Sequence, residues 1–120
     1  MDKVERMNML YDFYSGLLTD KQRHYFALYY EDNLSLSEIA ENEGITRQGV
    51  RDILVRSEKI LEEMEESTGM YRKYVTQAAD ITEMERLVEG INALNQKRFR
   101  SEDLLNFCNQ LYDRLQVMKL

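Results

Sequence analysis

A short polar and basic run at residues 46–59 has side chains of the types that bind nucleic acid, at helical spacing. Arg47 and Arg51 lie one helical turn apart and would share a face, with Gln48 beside them. An arginine guanidinium pairs with guanine and a glutamine amide with adenine, and cations also neutralise backbone phosphates. An alternative hypothesis is that these are ordinary surface residues of a helix. The candidate contacts are Thr46, Arg47, Gln48, Arg51, Arg56 and Lys59.

The formal charge changes sign along this part of the chain. Residues 44–60 hold four cations and two acids, whereas residues 31–43 hold five acids and residues 61–70 hold four. The chain of 120 residues has a net charge of −6, although nucleic-acid-binding proteins usually carry a basic surplus. A second hypothesis is therefore that an acidic helix face binds a basic protein partner. That face comprises Glu62, Glu63, Glu65 and Glu66.

The candidate contacts fall in the second of two predicted helices that are joined by a tight turn. Ser35 and Glu38 have the spacing of a capping box, which starts the first helix, and Gly44 ends it. Thr46 is a good N-cap for the second helix, whose apolar residues repeat at helical spacing through Leu61. The pattern predicts a helix-turn-helix, in which the second helix enters a major groove with its N-terminal residues foremost.

The composition predicts an all-α fold, because the chain contains no proline, only five glycines and many residues that favour helices. We expect a helix-turn-helix domain at residues 1–68, winged-helix-like with three or four helices but no strands, and a helical dimerisation arm at residues 69–120. Gly69 is predicted to kink or break the long helix, and Asp80 with Glu83 to start another. An aromatic cluster is expected in the core rather than as a base-stacking platform: Tyr25, Phe26, Tyr29 and Tyr30.

The last predicted helix carries a short apolar seam in which steps of four and three residues alternate, as in a coiled coil. A seam of this length is not stable alone, so it packs either on the long helix or on a second copy of the chain. We expect a homodimer, because helix-turn-helix proteins commonly pair. The seam comprises Leu104, Cys108, Leu111, Leu115 and Met118.

The loop before the last helix contains a second basic site. Lys97, Arg98 and Arg100 surround Phe99, so the loop could hold RNA phosphates or stack a base. The alternative is a loop that is merely exposed to solvent.

The sequence gives little support for catalysis, a metal or a cofactor. It contains no glycine-rich phosphate loop, one histidine and one cysteine. His24 lacks the further ligands that a metal site needs, and Cys108 is expected to be a small core residue. No apolar run has the length of a membrane span and no signal peptide is visible, so we expect a cytoplasmic, non-enzymatic protein.

Residues 18–61, from LTDKQRHYF to RSEKIL, resemble region 4 of bacterial sigma factors, the module that reads the −35 promoter element. More narrowly, residues 1–75 resemble the YlxM family of small Gram-positive proteins. In that family the motif RMNxLYDFYxxLLTxKQ, at residues 6–22 here, precedes the sigma-like helix-turn-helix. The base-reading positions of sigma factors correspond to Arg47, Gln48 and Asp52. Asp52 replaces the usual glutamine and Gly49 the neighbouring arginine, and both differences disfavour promoter-like reading.

The resemblance to the YlxM family implies a regulatory role in the signal recognition particle pathway, because family genes typically lie beside the gene for the particle's GTPase subunit. The expected ligand of the helix-turn-helix is then the particle's RNA or DNA. Two alternatives stay open. One is a DNA-binding transcriptional regulator, and the other is a protein-interaction module whose acidic face binds the GTPase subunit.

Overall fold

The computed structural model describes residues 2–119, which form six α-helices and contain no β-strand, as the composition predicts. A 3₁₀ turn, Ser15–Leu17, separates the first two helices, and a π-helical turn, Asn95–Phe99, separates the last two. The chain divides into two compact units, an N-terminal unit that ends at Arg72 and a C-terminal unit that begins at Lys73. The helices are α1 (Lys3–Tyr14), α2 (Asp20–Tyr30), α3 (Leu36–Glu43), α4 (Arg47–Thr68), α5 (Met70–Leu94) and α6 (Glu102–Met118).

Side-chain caps determine where the helices of the N-terminal unit begin. The Thr19 hydroxyl accepts the backbone N–H of Gln22 at 3.1 Å, and the Gln22 side chain accepts the N–H of Thr19 at 2.9 Å. Ser35 and Glu38 form the same reciprocal arrangement at the start of α3. Each capping box satisfies backbone donors that a helix end would otherwise leave free. The predicted start of α3 is therefore confirmed.

The central helix of the N-terminal unit is α4, which contacts α1, α2 and α3. Its N-terminal half packs with α2 and α3 around Val50, and its C-terminal half packs with α1 and α2 around Leu61. The ring of Phe26 stacks on Tyr11 at 4.7 Å and on Tyr30 at 4.4 Å, so the aromatic cluster of α2 belongs to the core as expected. Burying a side chain such as Phe26 contributes about 2 kcal/mol. With these contacts on one side, α4 leaves its opposite face to solvent.

A break, rather than a kink, separates α4 from α5. Gly69 has a φ of +61°, the left-handed conformation that glycine adopts at little cost, and α4 ends one residue earlier. The carboxylate of Glu65 accepts the backbone N–H groups of Tyr71 at 2.9 Å and Arg72 at 3.1 Å. It also accepts the hydroxyl of Tyr14 from α1 at 2.7 Å. One buried side chain of α4 thereby satisfies the free donors at the start of α5 and connects α1 to the junction.

The prediction that Asp80 and Glu83 start a separate helix is wrong. Asp80 lies in the interior of α5, which continues from Met70 to Leu94. Residues 72–79 contain no glycine or proline that would end a helix, so nothing interrupts it before Asp80. Glu83 instead accepts two hydrogen bonds from the Arg86 guanidinium, at 2.7 and 3.0 Å.

The C-terminal unit is an antiparallel hairpin of α5 and α6. Ile81 and Val88 of α5 pack against Cys108 and Leu115 of α6, so the predicted seam does fold back on the preceding helix. Cys108 is a buried core residue, as expected. The other seam residues, Leu104, Leu111 and Met118, stay exposed. None of the described helices is long and apolar enough to cross a membrane.

Candidate nucleic-acid interface

The turn between α3 and α4 fixes where the candidate interface begins. Gly44 ends α3 with a φ of +68°, and the half-buried Ile45 packs against the core of the N-terminal unit. The hydroxyl of Thr46 then accepts the backbone N–H of Gly49 at 3.0 Å and caps α4. Arg47 and Gln48 are consequently held in the first turn of α4, where both are exposed.

Gly49 donates the backbone N–H that the Thr46 hydroxyl accepts. A Cβ atom at position 49 would lie 3.1 Å from the Thr46 hydroxyl oxygen and 3.6 Å from Cδ1 of Ile45, so the hydroxyl would have to shift by a few tenths of an ångström. Gln22 holds the same position in the cap at Thr19 and carries a side chain, so the cap alone does not require a glycine.

Three arginines on the exposed side of α4 keep their charge uncompensated. Arg47, Arg51 and Arg56 form no ion pair with any residue between positions 2 and 119. Lys59 lies 3.8 Å from Glu63, one turn along the helix, but both side chains are exposed and such pairs are weak. The guanidinium groups therefore retain all of their donors for a planar anionic or base ligand.

Arg47, Gln48 and Arg51 line an open cleft of about 470 Å³ together with Leu36, the first residue of α3. The helix-turn-helix brings the starts of both helices side by side, which places an apolar side chain next to the arginines. Leu36 could not be assigned to the site from the sequence, because only the turn geometry relates it to Arg47.

Gln48 and Asp52 are coupled. The side-chain amide of Gln48 donates a hydrogen bond to Oδ1 of Asp52 at 2.9 Å. This bond leaves the Gln48 carbonyl and one N–H free, which are the two groups that pair with adenine. It also places a carboxylate within the basic surface, so the interface combines attraction for phosphates with a local repulsion.

The predicted acidic face is only partly available, and its inclusion of Glu65 is wrong. Glu65 is 4 % exposed and is satisfied by the hydrogen bonds at the start of α5. Burial raises the pKa of this carboxyl, but the hydrogen bonds from Tyr14 and from the two backbone N–H groups outweigh it and leave the pKa below its ordinary value. Glu65 follows Leu61 by four residues, so the apolar periodicity of α4 already indicated a buried position.

The other three glutamates of that face differ in their surroundings. Glu62 accepts two hydrogen bonds from the guanidinium of Arg6, each at 2.8 Å, and this pairing lowers the pKa of Glu62. Glu63 forms the exposed pair with Lys59, and Glu66 is exposed. The face that a basic partner would meet is thus reduced mainly to Glu63 and Glu66.

The second basic site lies in the C-terminal unit. Lys97 and Arg98 belong to the π-helical turn, and Arg100 follows it in a left-handed conformation with a φ of +48°. All three side chains are exposed, as is Phe99. The only histidine of the sequence, His24, has its Nε2 atom 2.9 Å from Oε1 of Glu43. In the part of the chain that the structure describes, no three His, Cys, Asp or Glu side chains are grouped to hold a metal ion.

Comparison with known proteins gives one consistent result. Residues 1–103 match the model of the UPF0122 family, described as "Putative helix-turn-helix protein, YlxM / p13 like". A UPF0122 protein of Shouchella clausii is 39% identical over 118 residues, which cover 98% of this chain and 98% of the relative. A UPF0122 protein of Geobacillus kaustophilus is 55% identical over 74 residues, 62% of this chain and 67% of the relative. One from Streptococcus gordonii is 48% identical over 84 residues, 70% and 76% of the two chains.

Proposed function

We propose that this chain, which belongs to the UPF0122 family of helix-turn-helix proteins, is a nucleic-acid-binding regulator of the signal recognition particle pathway. It acts without catalysis and binds the particle's RNA, or DNA, through α4. Arg47, Gln48 and Arg51 contact bases or phosphates, next to the Thr46 cap. Arg56 and Lys59 add phosphate contacts farther along the helix.

The observation that carries this proposal is the uncompensated charge of Arg47, Arg51 and Arg56 in an acidic chain. Among the acids of α4, Glu58 pairs with Lys3 at 3.4 Å and Glu62 with Arg6, whereas Asp52 lies within the basic surface. The arginines around the cleft are left without partners among the described residues. Polyanion binding favours such groups, because each neutralised phosphate releases condensed counterions.

The assignment to the signal recognition particle pathway is supported by the likeness to the YlxM family, whose genes typically lie beside the gene for the particle's GTPase subunit. The exposed arginines and the glutamine of α4 suit RNA and DNA equally. One binding experiment with the particle's RNA and with DNA therefore tests both the pathway and the type of ligand.

The direct test is a fluorescence anisotropy titration of the full chain at low salt. The ligands are the signal recognition particle RNA, an unrelated RNA of the same length and a duplex DNA. The proposal predicts saturable binding that is tightest for the particle RNA. A specific footprint on duplex DNA with weaker RNA binding would select a transcriptional regulator instead. Absence of binding to all three ligands would overturn the function.

A protein-interaction module is the rival function, and the net charge of −6 is the observation that favours it. Its contact surface would be the acidic face, of which Glu63 and Glu66 remain available. The discriminating experiment is a pull-down with the GTPase subunit after nuclease treatment. A complex that survives nuclease but is lost in the variant with Glu63→Lys and Glu66→Lys would select the protein partner over nucleic acid.

We also propose that the chain is a homodimer, with a second copy covering one face of the C-terminal hairpin. On both α5 and α6, the exposed apolar residues form a stripe beside the buried residues of the hairpin core. Viewed along each helix from its N-terminus to its C-terminus, the stripe lies on the same side of the buried residues in both. In an antiparallel pair such stripes lie on one face. The exposed residues are Met84, Leu87, Ile91 and Leu94 on α5 and Leu104, Phe107, Leu111 and Met118 on α6.

A second copy would cover this face with an identical apolar face. Each of the eight side chains is between 36 % and 67 % exposed in the single chain. Two hairpins that pack face to face form a four-helix bundle, whose core would be filled by the stripes of both copies. A lone hairpin with four buried apolar residues has a far smaller core.

A further inference from the structure

We propose that the turn between α5 and α6 is a separate binding site for single-stranded nucleic acid. This hairpin tip consists of Lys97, Arg98, Phe99 and Arg100. The ring of Phe99 is 64 % exposed, and cations precede and follow it in the chain. An aromatic ring stacks on a base and neighbouring cations neutralise the adjacent phosphates. A single strand can offer unstacked bases, whereas a duplex stacks its bases against each other.

Hydrogen bonds between its two ends hold the backbone of the tip in place. The buried side chain of Asn95 donates from Nδ2 to the carbonyl of Ser101 and accepts the N–H of Ser101, both at 2.9 Å. The backbone carbonyl of Asn95 also accepts the N–H of Arg100 at 2.6 Å. These three bonds close the turn from one side to the other. Phe99 is therefore presented to solvent by a fixed backbone.

The backbone conformation of Arg100 also favours a binding role for the tip. Its φ of +48° is strained for an L-residue, and glycine would adopt the same conformation without a Cβ penalty. The chain places an arginine there, so the tip carries a third cation at a position whose conformation costs free energy. Strained residues of this kind concentrate at functional sites, where the side chain has a role beyond folding.

The charges around the tip favour a polyanion. Lys97, Arg98 and Arg100 form no ion pair with any residue from 2 to 119. Residues 95–101 carry a charge of +3, although the chain as a whole carries −6. An anionic bilayer is the less suitable partner, because Phe99 is the only large apolar side chain in residues 95–101 that could enter it.

The test uses a local fluorescent reporter, because the chain contains no tryptophan. Phe99→Trp places a single indole at the tip, and the matched control Val117→Trp places one on α6 at a position that is similarly exposed, 62 %. Each full-length variant is titrated with single-stranded 12-nucleotide oligouridylate and oligothymidylate. A duplex of the same length and vesicles of equal parts phosphatidylcholine and phosphatidylserine serve as further probes.

The proposal predicts that the single strands quench the Phe99→Trp emission at concentrations up to about 100 μM and leave Val117→Trp unchanged. Adding Lys97→Gln, Arg98→Gln and Arg100→Gln should weaken the quenching at least tenfold and reduce the salt slope by about 2. Wild-type chain should compete for the oligonucleotide, whereas Phe99→Ala with native circular dichroism should compete about tenfold less well.

Several results would overturn the proposal. They are the absence of quenching, equal quenching of the Val117→Trp control, or quenching that survives removal of the three cations. A response to the vesicles without one to the oligonucleotides would assign the tip to a membrane surface instead. The reporter is local, so its outcome is independent of whether α4 binds nucleic acid.

Discussion

At the start of α4, a glutamine and an aspartate share a hydrogen bond within a basic surface. Gln48 donates to Asp52, and the arginines at positions 47 and 51 lie beside them without acidic partners among the described residues. The carboxylate orients the glutamine amide but repels phosphates. If α4 binds nucleic acid as proposed, Asp52 should limit the affinity and help to select the base that Gln48 would contact.

This expectation is tested by Asp52→Asn, which removes the charge and keeps an oxygen acceptor for Gln48. We predict binding about three- to tenfold tighter, because one phosphate-repelling charge is lost. Asp52→Ala should also bind more tightly but discriminate less between adenine and other bases at the contacted position. The measurement is anisotropy titration with single-base ligand variants. Asp12→Asn, an exposed acid on α1, is the control, and weaker binding by Asp52→Asn would contradict the account.

For the candidate interface, the sequence indicated which side chains are exposed cations but not what surrounds them. The arginines were identifiable from charge and spacing, because a helix places positions 47 and 51 on one face. Leu36 was not, since its proximity depends on the turn between two helices. Glu65 was misassigned because four glutamates in one run look alike when only their charge is considered. Only Glu65 lies about one helical turn after the buried Leu61, and this spacing distinguishes it from the other three glutamates.

At the scale of elements, the α4–α5 junction depends on one buried carboxylate. Glu65 lies beneath the first turn of α5 and accepts three hydrogen bonds, two from backbone donors and one from Tyr14. Gly69 ends α4 in a left-handed conformation, after which those donors reach the Glu65 carboxylate. Loss of the carboxylate should therefore destabilise the junction.

We predict that Glu65→Gln lowers the free energy of unfolding by about 2 kcal/mol at pH 7, because an amide N–H replaces one acceptor among these donors. The folded-state pKa of Glu65 lies below its ordinary value of 4.5. The stabilisation is thus complete above pH 4.5 and is lost as the pH falls through the folded-state pKa. Urea unfolding at pH 7 and pH 3 measures it, with the exposed neighbour Glu66→Gln as the control. A difference between wild type and Glu65→Gln that is unchanged at pH 3 would contradict this role.

The helices themselves were largely predictable, with one instructive failure. The capping box at Ser35 predicted the start of α3, and Asn33, with a φ of +59°, separates that start from the end of α2. The same spacing at Asp80 and Glu83 carried no such information, since strong helix formers precede it. A capping pattern therefore predicts a start only where a preceding residue ends the previous helix.

At the scale of the whole molecule, the all-α fold and the helix-turn-helix followed from composition and periodicity. The packing of the C-terminal arm did not, because an apolar seam shows that something must cover it without showing what does. Two of the five seam residues, Cys108 and Leu115, pack within the hairpin. The other three are exposed, and the proposed homodimer would bury them.

The homodimer predicts a sedimentation mass about twice the 14.3 kDa of one chain. Leu87→Glu with Ile91→Glu should give a monomer that keeps its helix content, because both side chains are about half exposed in the single chain. Leu17→Glu, an exposed apolar position of the N-terminal unit, should leave the mass unchanged. A monomeric wild type at micromolar concentration would contradict the dimer.

The most direct test of the central claim is the salt dependence of nucleic-acid binding by the variant with Arg47→Ala and Arg51→Ala. The claim is that the exposed basic surface of α4 binds nucleic acid. Removing two phosphate-neutralising groups should weaken binding at least tenfold near 100 mM salt and reduce the slope of log K against log salt by about 2 on a duplex. The control variant, Lys21→Ala with Lys73→Ala, removes two exposed cations elsewhere and should change little. Equal losses in both variants, or an unchanged slope in the arginine variant, would contradict the account.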